Sequence, residues 1–168
     1  MSDFLLVDIQ LPADVSPDEP PLSHRLGIEA EQLTWFGRAG EPVRADFLGD
    51  RAGFVVPTVD GNRIAHLHAL VTERHLITVH RGAAPLLDSL TGQLGQERPS
   101  DTVAVMFLLL QEALETFRRA AIHDLQLVED LEDDMFEKRR PEQVYRLAQL
   151  RRRAALLHHS LLRYLVRP

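Results

Sequence analysis

The fold of this chain is decided by residues 101–137, which read DTVAVMFLLLQEALETFRRAAIHDLQLVEDLEDDMFE. Apolar residues recur there at alternating spacings of four and three, which places them on one stripe of a helix. The one charged residue on that stripe is Asp124. Pro99, Ser100 and Asp101 give a helix start signal, because Ser or Asp at the N-cap accepts a hydrogen bond from a backbone N–H of the first turn. The pattern predicts one helix from about residue 99 to 138, roughly 55 Å long at 1.5 Å per residue.

A second helical pattern begins at Pro141, a residue that suits the first turn of a helix. Its apolar residues again alternate at three and four, through Leu147, Leu150, Ala154, Leu157, Leu161 and Tyr164. Only residues 138–140 separate the two patterns. We therefore expect the second helix to fold back on the first as an antiparallel hairpin.

The two predicted helices carry opposite charge. Residues 99–137 hold ten acidic residues and two arginines, whereas residues 138–168 hold nine basic residues and one glutamate. An antiparallel arrangement brings the acids at 129–134 towards the start of the second helix, with Arg146 and residues 151–153 along it. Exposed ion pairs contribute only about 0–1 kcal/mol each. Hydrophobic packing should therefore stabilise the hairpin, while the charges set register and partner.

Residues 1–98 have the pattern of a small α+β unit. Turn signals at Gly49-Asp50, at 60–62 and at Glu73-Arg74 separate short apolar runs. These runs predict strands at 4–11, 42–47, 51–59, 63–72 and 75–80, with helical spacing at 22–36 and at 83–94, where Gly95 ends it. The predicted fold is thus α+β: a head at 1–98 with a small mixed β-sheet and flanking helices, followed by a long antiparallel helical hairpin at 99–168.

Composition excludes several classes of protein. The net charge of −6 argues against a nucleic-acid partner. The chain has no cysteine, which excludes disulfides and thiolate metal sites and suits a reducing compartment. Residues 1–11 lack the pattern of a secretory signal, and no apolar run reaches the length that spans a bilayer. The sequence predicts a soluble chain.

No catalytic motif is present in the sequence. It has no nucleophile elbow, no glycine-rich phosphate loop and no helical HExxH pattern. The sequence therefore predicts a protein that is not an enzyme.

Two groups of residues could ligate metal. His66 and His68 alternate on a predicted strand and share a face, with His80 on the neighbouring strand, so the spacing permits a zinc site. Solvent-facing polar residues are the ordinary alternative. The carboxylates at 129–134 could attract hard divalent cations, although such a run is more often a solvated helix face.

The order of these segments resembles the cytoplasmic domain of the CorA family of divalent-cation transporters. Residues 75–81, HLITVHR, are similar to the family's FLVTVH strand, and residues 143–163 are similar to its L..LRR.L..LR stalk pattern. The acidic helix end at 128–136, VEDLEDDMF, also matches. The remaining similar segments are the strand at 4–11, Leu26-Gly27-Ile28, the strand at 54–59 and the leucine-rich helix at 84–94.

The resemblance implies part of a homopentameric transporter for Mg²⁺ or Co²⁺, and in one branch Zn²⁺. In that family a cytoplasmic funnel joins the pore through a stalk helix. The two membrane helices and the Gly-Met-Asn signature are not within residues 1–168. The chain is therefore expected to be a regulatory domain on the cytoplasmic face of the cell membrane, unable to transport ions by itself.

The resemblance also implies a regulatory metal, because many members bind Mg²⁺ between subunits at acidic sensor residues. Metal there would screen carboxylate repulsion and hold a closed state. This sequence has Thr34-Trp35 in place of a sensor Glu-Asp pair, and Gln111 where a sensor-linked aspartate aligns. The acids that remain as candidates for a divalent-cation site are Glu112, Asp124, Glu129, Asp130, Asp133 and Asp134.

An alternative function belongs to a different class. Helices of opposite charge also suit a stand-alone interaction or oligomerisation protein without a transport role. A reading frame that continues past residue 168 into two apolar stretches of about 20 residues would favour the transporter. A stop codon there would favour the alternative.

Overall fold

The structure is a computed structural model and describes residues 4–14, 22, 33–137 and 140–165. In chain order the elements are β1 Leu5–Leu11, β2 Arg44–Leu48, β3 Arg51–Asp60, β4 Arg63–Val71, β5 His75–Arg81, α1 Pro85–Glu97, α2 Thr102–Glu137 and α3 Pro141–Leu165. The predicted α+β class, with a mixed sheet, flanking helices and a long helical hairpin, is confirmed.

The sheet has the strand order β1-β5-β4-β3-β2. Strands β2 to β5 form an antiparallel meander, while β1 adds to β5 in parallel. The predicted turns at Gly49 and Gly61 have positive φ angles of 65° and 55°, which glycine adopts without steric cost. The β4–β5 hairpin closes where the Thr72 N–H donates to the His75 carbonyl at 2.8 Å.

Both faces of the sheet are covered. Helices α1 and α2 pack on one face, where Leu76, Leu90 and Leu109 are fully buried. Residues 33–36 cover the other face, with Trp35 and Phe36 buried against Val55 and Val79. A Cβ atom at residue 53 would lie 2.7 Å from Leu33 Cδ2, so glycine there permits this close approach.

Helix α2 begins as predicted. Asp101 Oδ1 accepts the Ala104 N–H at 2.8 Å, which makes Asp101 the N-cap. The first half of the helix packs on the sheet, and Thr116 Oγ1 accepts the Val59 N–H at 2.9 Å. The hydrophobic core thus includes residues on both sides of position 98. The division into a head at 1–98 and an arm at 99–168 stays a prediction.

Helix α3 runs back along the second half of α2, as the hairpin prediction requires. Leu157 of α3 packs against Phe117 and Ala120 of α2. The Gln143 side chain accepts the Arg140 N–H at 2.8 Å and so caps the start of α3. Most of α3 is exposed, so the hairpin buries much less of its surface than the sheet does.

Two predictions concern the helical spacing at 22–36 and the end of α1. The helical spacing at 22–36 lies mostly outside the described residues, and the described part, residues 33–37, forms turns in which the Phe36 N–H donates to the Leu33 carbonyl. The predicted end of α1 at Gly95 is wrong, because the helix continues to Glu97. It ends at Arg98, which takes a left-handed φ of 46° and donates its N–H to the Leu94 carbonyl.

Candidate functional site

The six acidic candidates fall into two groups with different surroundings. Glu112 and Asp124 are 4% and 7% exposed, respectively. They lie twelve residues apart, about 18 Å along one helix at 1.5 Å per residue. They cannot share an ion within one chain. The other four, Glu129, Asp130, Asp133 and Asp134, are exposed on the last turns of α2.

Glu112 connects the two helices that cover the sheet. Its Oε1 accepts a hydrogen bond from Gln93 Nε2 of α1, and its Oε2 lies 3.6 Å from Arg119 Nη2. The carboxylate is therefore balanced by an arginine on its own helix and an amide from α1. A structural role accounts for its burial.

Asp124 is the charge that interrupts the apolar stripe, and its partner comes from α3. Arg153 Nε lies 3.1 Å from Asp124 Oδ1, and the two side chains are 18% and 10% exposed. The same guanidinium donates to the Asn62 side chain and, at 3.2 Å, to the Gly61 carbonyl. We call Asp124, Arg153, Gly61 and Asn62 the arginine junction. It joins α2, α3 and the β3–β4 turn through one side chain.

His68 is part of the hydrophobic core rather than an open metal ligand. Its Nδ1 accepts the Gly37 N–H at 3.0 Å, and its ring lies 5.9 Å from Trp35 and 5.8 Å from Phe36. Burial lowers the pKa of His68 to about 4, with smaller contributions from His66 and Arg81. His68 is therefore neutral at physiological pH.

The other two histidines of the predicted zinc site are placed differently. His66 lies on the same face of β4 as His68 and is more exposed, although partial burial of its ring lowers its pKa. His80 lies on the opposite face, because Val79 is the residue paired with His68. Its Nε2 is 3.2 Å from Asp8 Oδ2.

Within the described ranges, no three His, Asp or Glu side chains are placed to hold a metal ion together. This observation concerns one chain and does not address a metal site formed between two copies of the chain. The divalent-cation candidates and the zinc alternative at His66 and His68 stay predictions.

The sequence did not indicate the arginine junction. The acids at 129–134, with Arg146 and residues 151–153, predicted attraction between the helices, but no pattern indicated that Asp124 pairs with Arg153. Gly61 and Asn62 lie 92 and 91 residues from Arg153 along the sequence. Contacts that distant depend on how the helices cross the sheet, which local spacing does not encode.

A largely apolar cleft of about 590 Å³ lies between α2 and α3 and is lined by residues of these two helices. Leucines from both helices line it, among them Leu114, Leu150 and Leu161. We call it the helix cleft. In the ranges the structure describes, no helix combines the length and low charge that a membrane span needs.

A comparison with known protein families identifies the family of this chain. A sequence profile described as "CorA-like Mg2+ transporter protein" matches residues 3–165. The chain belongs to the CorA-like family. A search among curated proteins finds no significant match. The family is one of transporters rather than enzymes.

Solved structures of CorA proteins share the fold. The complete CorA magnesium transporter of Methanocaldococcus jannaschii matches with a TM-score of 0.71 and 17% identity, over 95% of this chain and 52% of that one. The soluble domain of the same CorA matches with a TM-score of 0.66 and 19% identity, over 85% and 60%. The ZntB cytoplasmic domain of Vibrio parahaemolyticus matches with a TM-score of 0.61 and 8% identity, over 93% and 62%. This CorA-like chain thus spans about half the length of the complete transporter that it matches.

Proposed function

We propose that this chain is the cytoplasmic domain of a CorA-like divalent-cation transporter and that it regulates transport without conducting ions. The observation that carries the proposal is the family match over residues 3–165 together with the shared fold of a CorA soluble domain. The sheet provides a compact base, and α2 continues from that base into the helical hairpin. Such an arrangement can transmit a change at the sheet to the hairpin.

The proposed regulatory ligand is Mg²⁺ or a related divalent cation held between copies of the chain in a homo-oligomer, a pentamer in the intact protein. The exposed acids Glu129, Asp130, Asp133 and Asp134 support this part of the proposal. Repulsion among clustered carboxylates would keep neighbouring copies apart, and a hard cation coordinated by their oxygens would remove that repulsion. The buried Glu112 and Asp124 are already balanced by arginines and are weaker candidates.

A transport assay tests the main proposal. The gene should continue past residue 168 into two apolar stretches of about 20 residues each. The full-length protein in vesicles should take up Mg²⁺ or Co²⁺, measured with a fluorescent indicator inside the vesicles. A stop codon at this position would contradict the proposal and favour the stand-alone interaction protein.

A second experiment tests the regulatory site. Alanine at Glu129, Asp130, Asp133 and Asp134 together should reduce the ability of added Mg²⁺ to inhibit uptake, while uptake at low Mg²⁺ is retained. Replacement of the exposed Asp88 on α1 serves as the matched control, since it lies away from the acidic end of α2. Unchanged inhibition by Mg²⁺ would remove these four acids from the proposal without affecting the transport assignment.

A further inference from the structure

The hairpin of α2 and α3 exposes a wide apolar face. Its centre is the helix cleft, which Ala121 and Ala154 line together with leucines from both helices. The short alanine side chains leave depth between the longer leucines, and grooves of this kind receive the side-chain ridges of another helix. The cleft is open to solvent, because Leu114 and Leu125 remain 39% and 58% exposed.

Further apolar side chains widen this face on both helices. Ile122 lies about one turn from Leu125 on α2, and Val144 lies about two turns from Arg151 on α3. Leu125 and Arg151 both line the cleft. Ile122 and Val144 are exposed, as is Leu162 in the last turns of α3. We call the helix cleft together with Ile122, Val144 and Leu162 the hairpin face.

The hairpin face is large enough for a specific contact between two folded proteins. It is two helices wide, roughly 20 Å, and α3 has 25 residues and is about 37 Å long. The projected area is therefore roughly 700 Å². Each partner in a stable complex buries about 800 Å². A single partner of similar size and shape would cover the face.

Charges on the two sides of the hairpin face have opposite sign. Glu129 and Glu132 are exposed on α2, four and seven positions after Leu125, whereas the exposed Arg151 borders the cleft on α3. Because the helices are antiparallel and Arg153 contacts Asp124, Arg151 is level with α2 within about one turn of Glu129. A partner that matches the face must present basic groups to α2 and acidic groups to α3.

A second copy of the chain meets this requirement. Its hairpin has the same apolar face and the same split, with ten acids and two arginines in residues 99–137 and nine basic residues and one glutamate in 138–168. With both hairpins pointing the same way about a two-fold axis along the helices, each α2 lies against the α3 of the other copy. Glu129 and Glu132 of each copy are then level with Arg151 of the other.

The opposite orientation does not match the charges. Hairpins that point in opposite directions either bring the two acidic helices together or move the glutamates away from the level of Arg151. Like charges brought together across an interface oppose association. The charges therefore favour copies whose hairpin tips lie at the same end.

We propose that the hairpin face binds a second copy of this chain across that two-fold axis, as a four-helix bundle in which acidic and basic helices alternate. The leucines of each copy fill the helix cleft of the other and supply affinity, while the charges select the partner and its direction. An interface of this size should give a micromolar dissociation constant, so the dilute chain is a single copy. The inference needs no cation and does not rest on the transport proposal.

Sedimentation equilibrium of the 168-residue chain in EDTA, from about 1 to about 200 µM, tests the proposal. The mass should rise to twice the 19.1 kDa of one chain. Arg151→Glu should weaken dimerisation at least about tenfold, because a like charge then meets Glu129 and Glu132. Arg152→Glu is the matched control, since this adjacent exposed residue lines a different cavity, beside Asn62, and its dimerisation should equal that of the unmodified chain.

A mixture of two charge-reversed chains tests the arrangement itself. One chain carries Arg151→Glu, and the other carries Glu129→Arg with Glu132→Arg. Like charges meet when either chain pairs with itself, so each should dimerise weakly alone. A one-to-one mixture restores opposite charges at both contacts, and its dissociation constant should return to that of the unmodified chain. Circular dichroism checks that every variant is folded.

Three results would overturn the proposal: a single-copy mass at the highest concentration, assembly only after Mg²⁺ is added, or a mixture that associates no better than its components. A single-copy mass would leave the hairpin face to another occupant, such as a further helix of a longer protein. A mass of five copies would also contradict the proposal, because a ring joins two different surfaces instead of pairing one surface with itself. None of these results bears on ion uptake, so the transport proposal is tested separately.

Discussion

The sheet with its covering elements and the helical hairpin are stabilised in different ways. On the sheet, side chains such as Leu76, Leu90 and Leu109 are fully enclosed between strands and helices. In the hairpin, Leu125 and Leu156 remain 58% and 46% exposed. The arginine junction supplies an ion pair where the hairpin lacks a deep core. The sheet is therefore stabilised by burial, whereas the position of α3 depends on a few specific contacts and an open apolar cleft.

The largest expected effect tests the first half of this comparison. Leu109→Ala removes a fully buried side chain from between α2 and the sheet, and should lower the free energy of unfolding by about 4 kcal/mol, since the cavity left behind cannot collapse. Urea unfolding followed by circular dichroism measures the loss. A loss below about 1 kcal/mol would show that the sheet is not packed as described.

The second effect is a pH dependence of the free energy of unfolding that comes from His68 on the sheet. Because burial lowers the pKa of His68 to about 4, the unfolded chain, with a histidine pKa near 6.5, binds the proton first as pH falls. Neutral His68 makes its full contribution to the free energy of unfolding above about pH 6.5. That contribution is lost as pH falls towards 4. The loss is on the order of 3 kcal/mol.

Urea unfolding at about pH 7.5 and about pH 4.5 measures this dependence. His68→Gln should lose less stability between the two pH values than the unmodified chain. The exposed His75 provides the control, and His75→Gln should behave as the unmodified chain does. Equal pH slopes for all three chains would refute the assignment.

The third effect addresses the hairpin. Arg153→Gln leaves the Asp124 carboxylate without its counter-charge, and should cost about 2 kcal/mol, less than a fully buried pair because both groups are partly exposed. The change should also raise hydrogen exchange at Gly61 and Asn62. Arg152→Gln, an exposed neighbour on α3, should change neither quantity.

Asp124→Asn sharpens that test, since Asp124 is bound to Arg153 whereas the turn receives the other guanidinium nitrogens. Faster exchange at Gly61 in this variant would show that α2 reaches the turn through Arg153. Protection equal to that of the unmodified chain would show that the contact with the turn is independent of Asp124.

The smallest effect is expected on the open side of the hairpin. Leu125→Ala changes a mostly exposed side chain in the helix cleft, so the free energy of unfolding of the isolated chain should fall by less than about 1 kcal/mol. Thermal unfolding of Leu125→Ala and Leu109→Ala under the same conditions compares the two losses of stability directly. Similar losses in both variants would mean that the two regions are equally well packed.

Much of the fold could be predicted because its signals are local. The turn signals at Gly49 and at residues 60–62 predicted the meander, and the spacing of apolar residues after Asp101 predicted both long helices. The parallel contact between β1 and β5 joins residues about 70 positions apart, and no local pattern specifies it. The stop at Gly95 was wrong because a glycine inside a helix costs only about 1 kcal/mol, which packing can offset.

The candidate site was less predictable than the fold. Residue type marked Glu112, Asp124 and His68 as candidates, but tertiary packing gave each a partner: the Gln93 amide, Arg153 and the Gly37 amide, respectively. Composition alone could not distinguish the buried carboxylates of Glu112 and Asp124, which lie beside arginines, from the exposed carboxylates at 129–134.

Helix α2 is continuous from Thr102 to Glu137, and this continuity has a geometric consequence. Its 36 residues make a rod of about 54 Å, anchored on the sheet at one end and free of it at the other. A tilt of about 5° at the anchored end displaces the far end by about 5 Å, roughly the rise of one helical turn. A small side-chain rearrangement beside the strands could therefore move the far end of α2 enough to change its contacts with a neighbouring molecule.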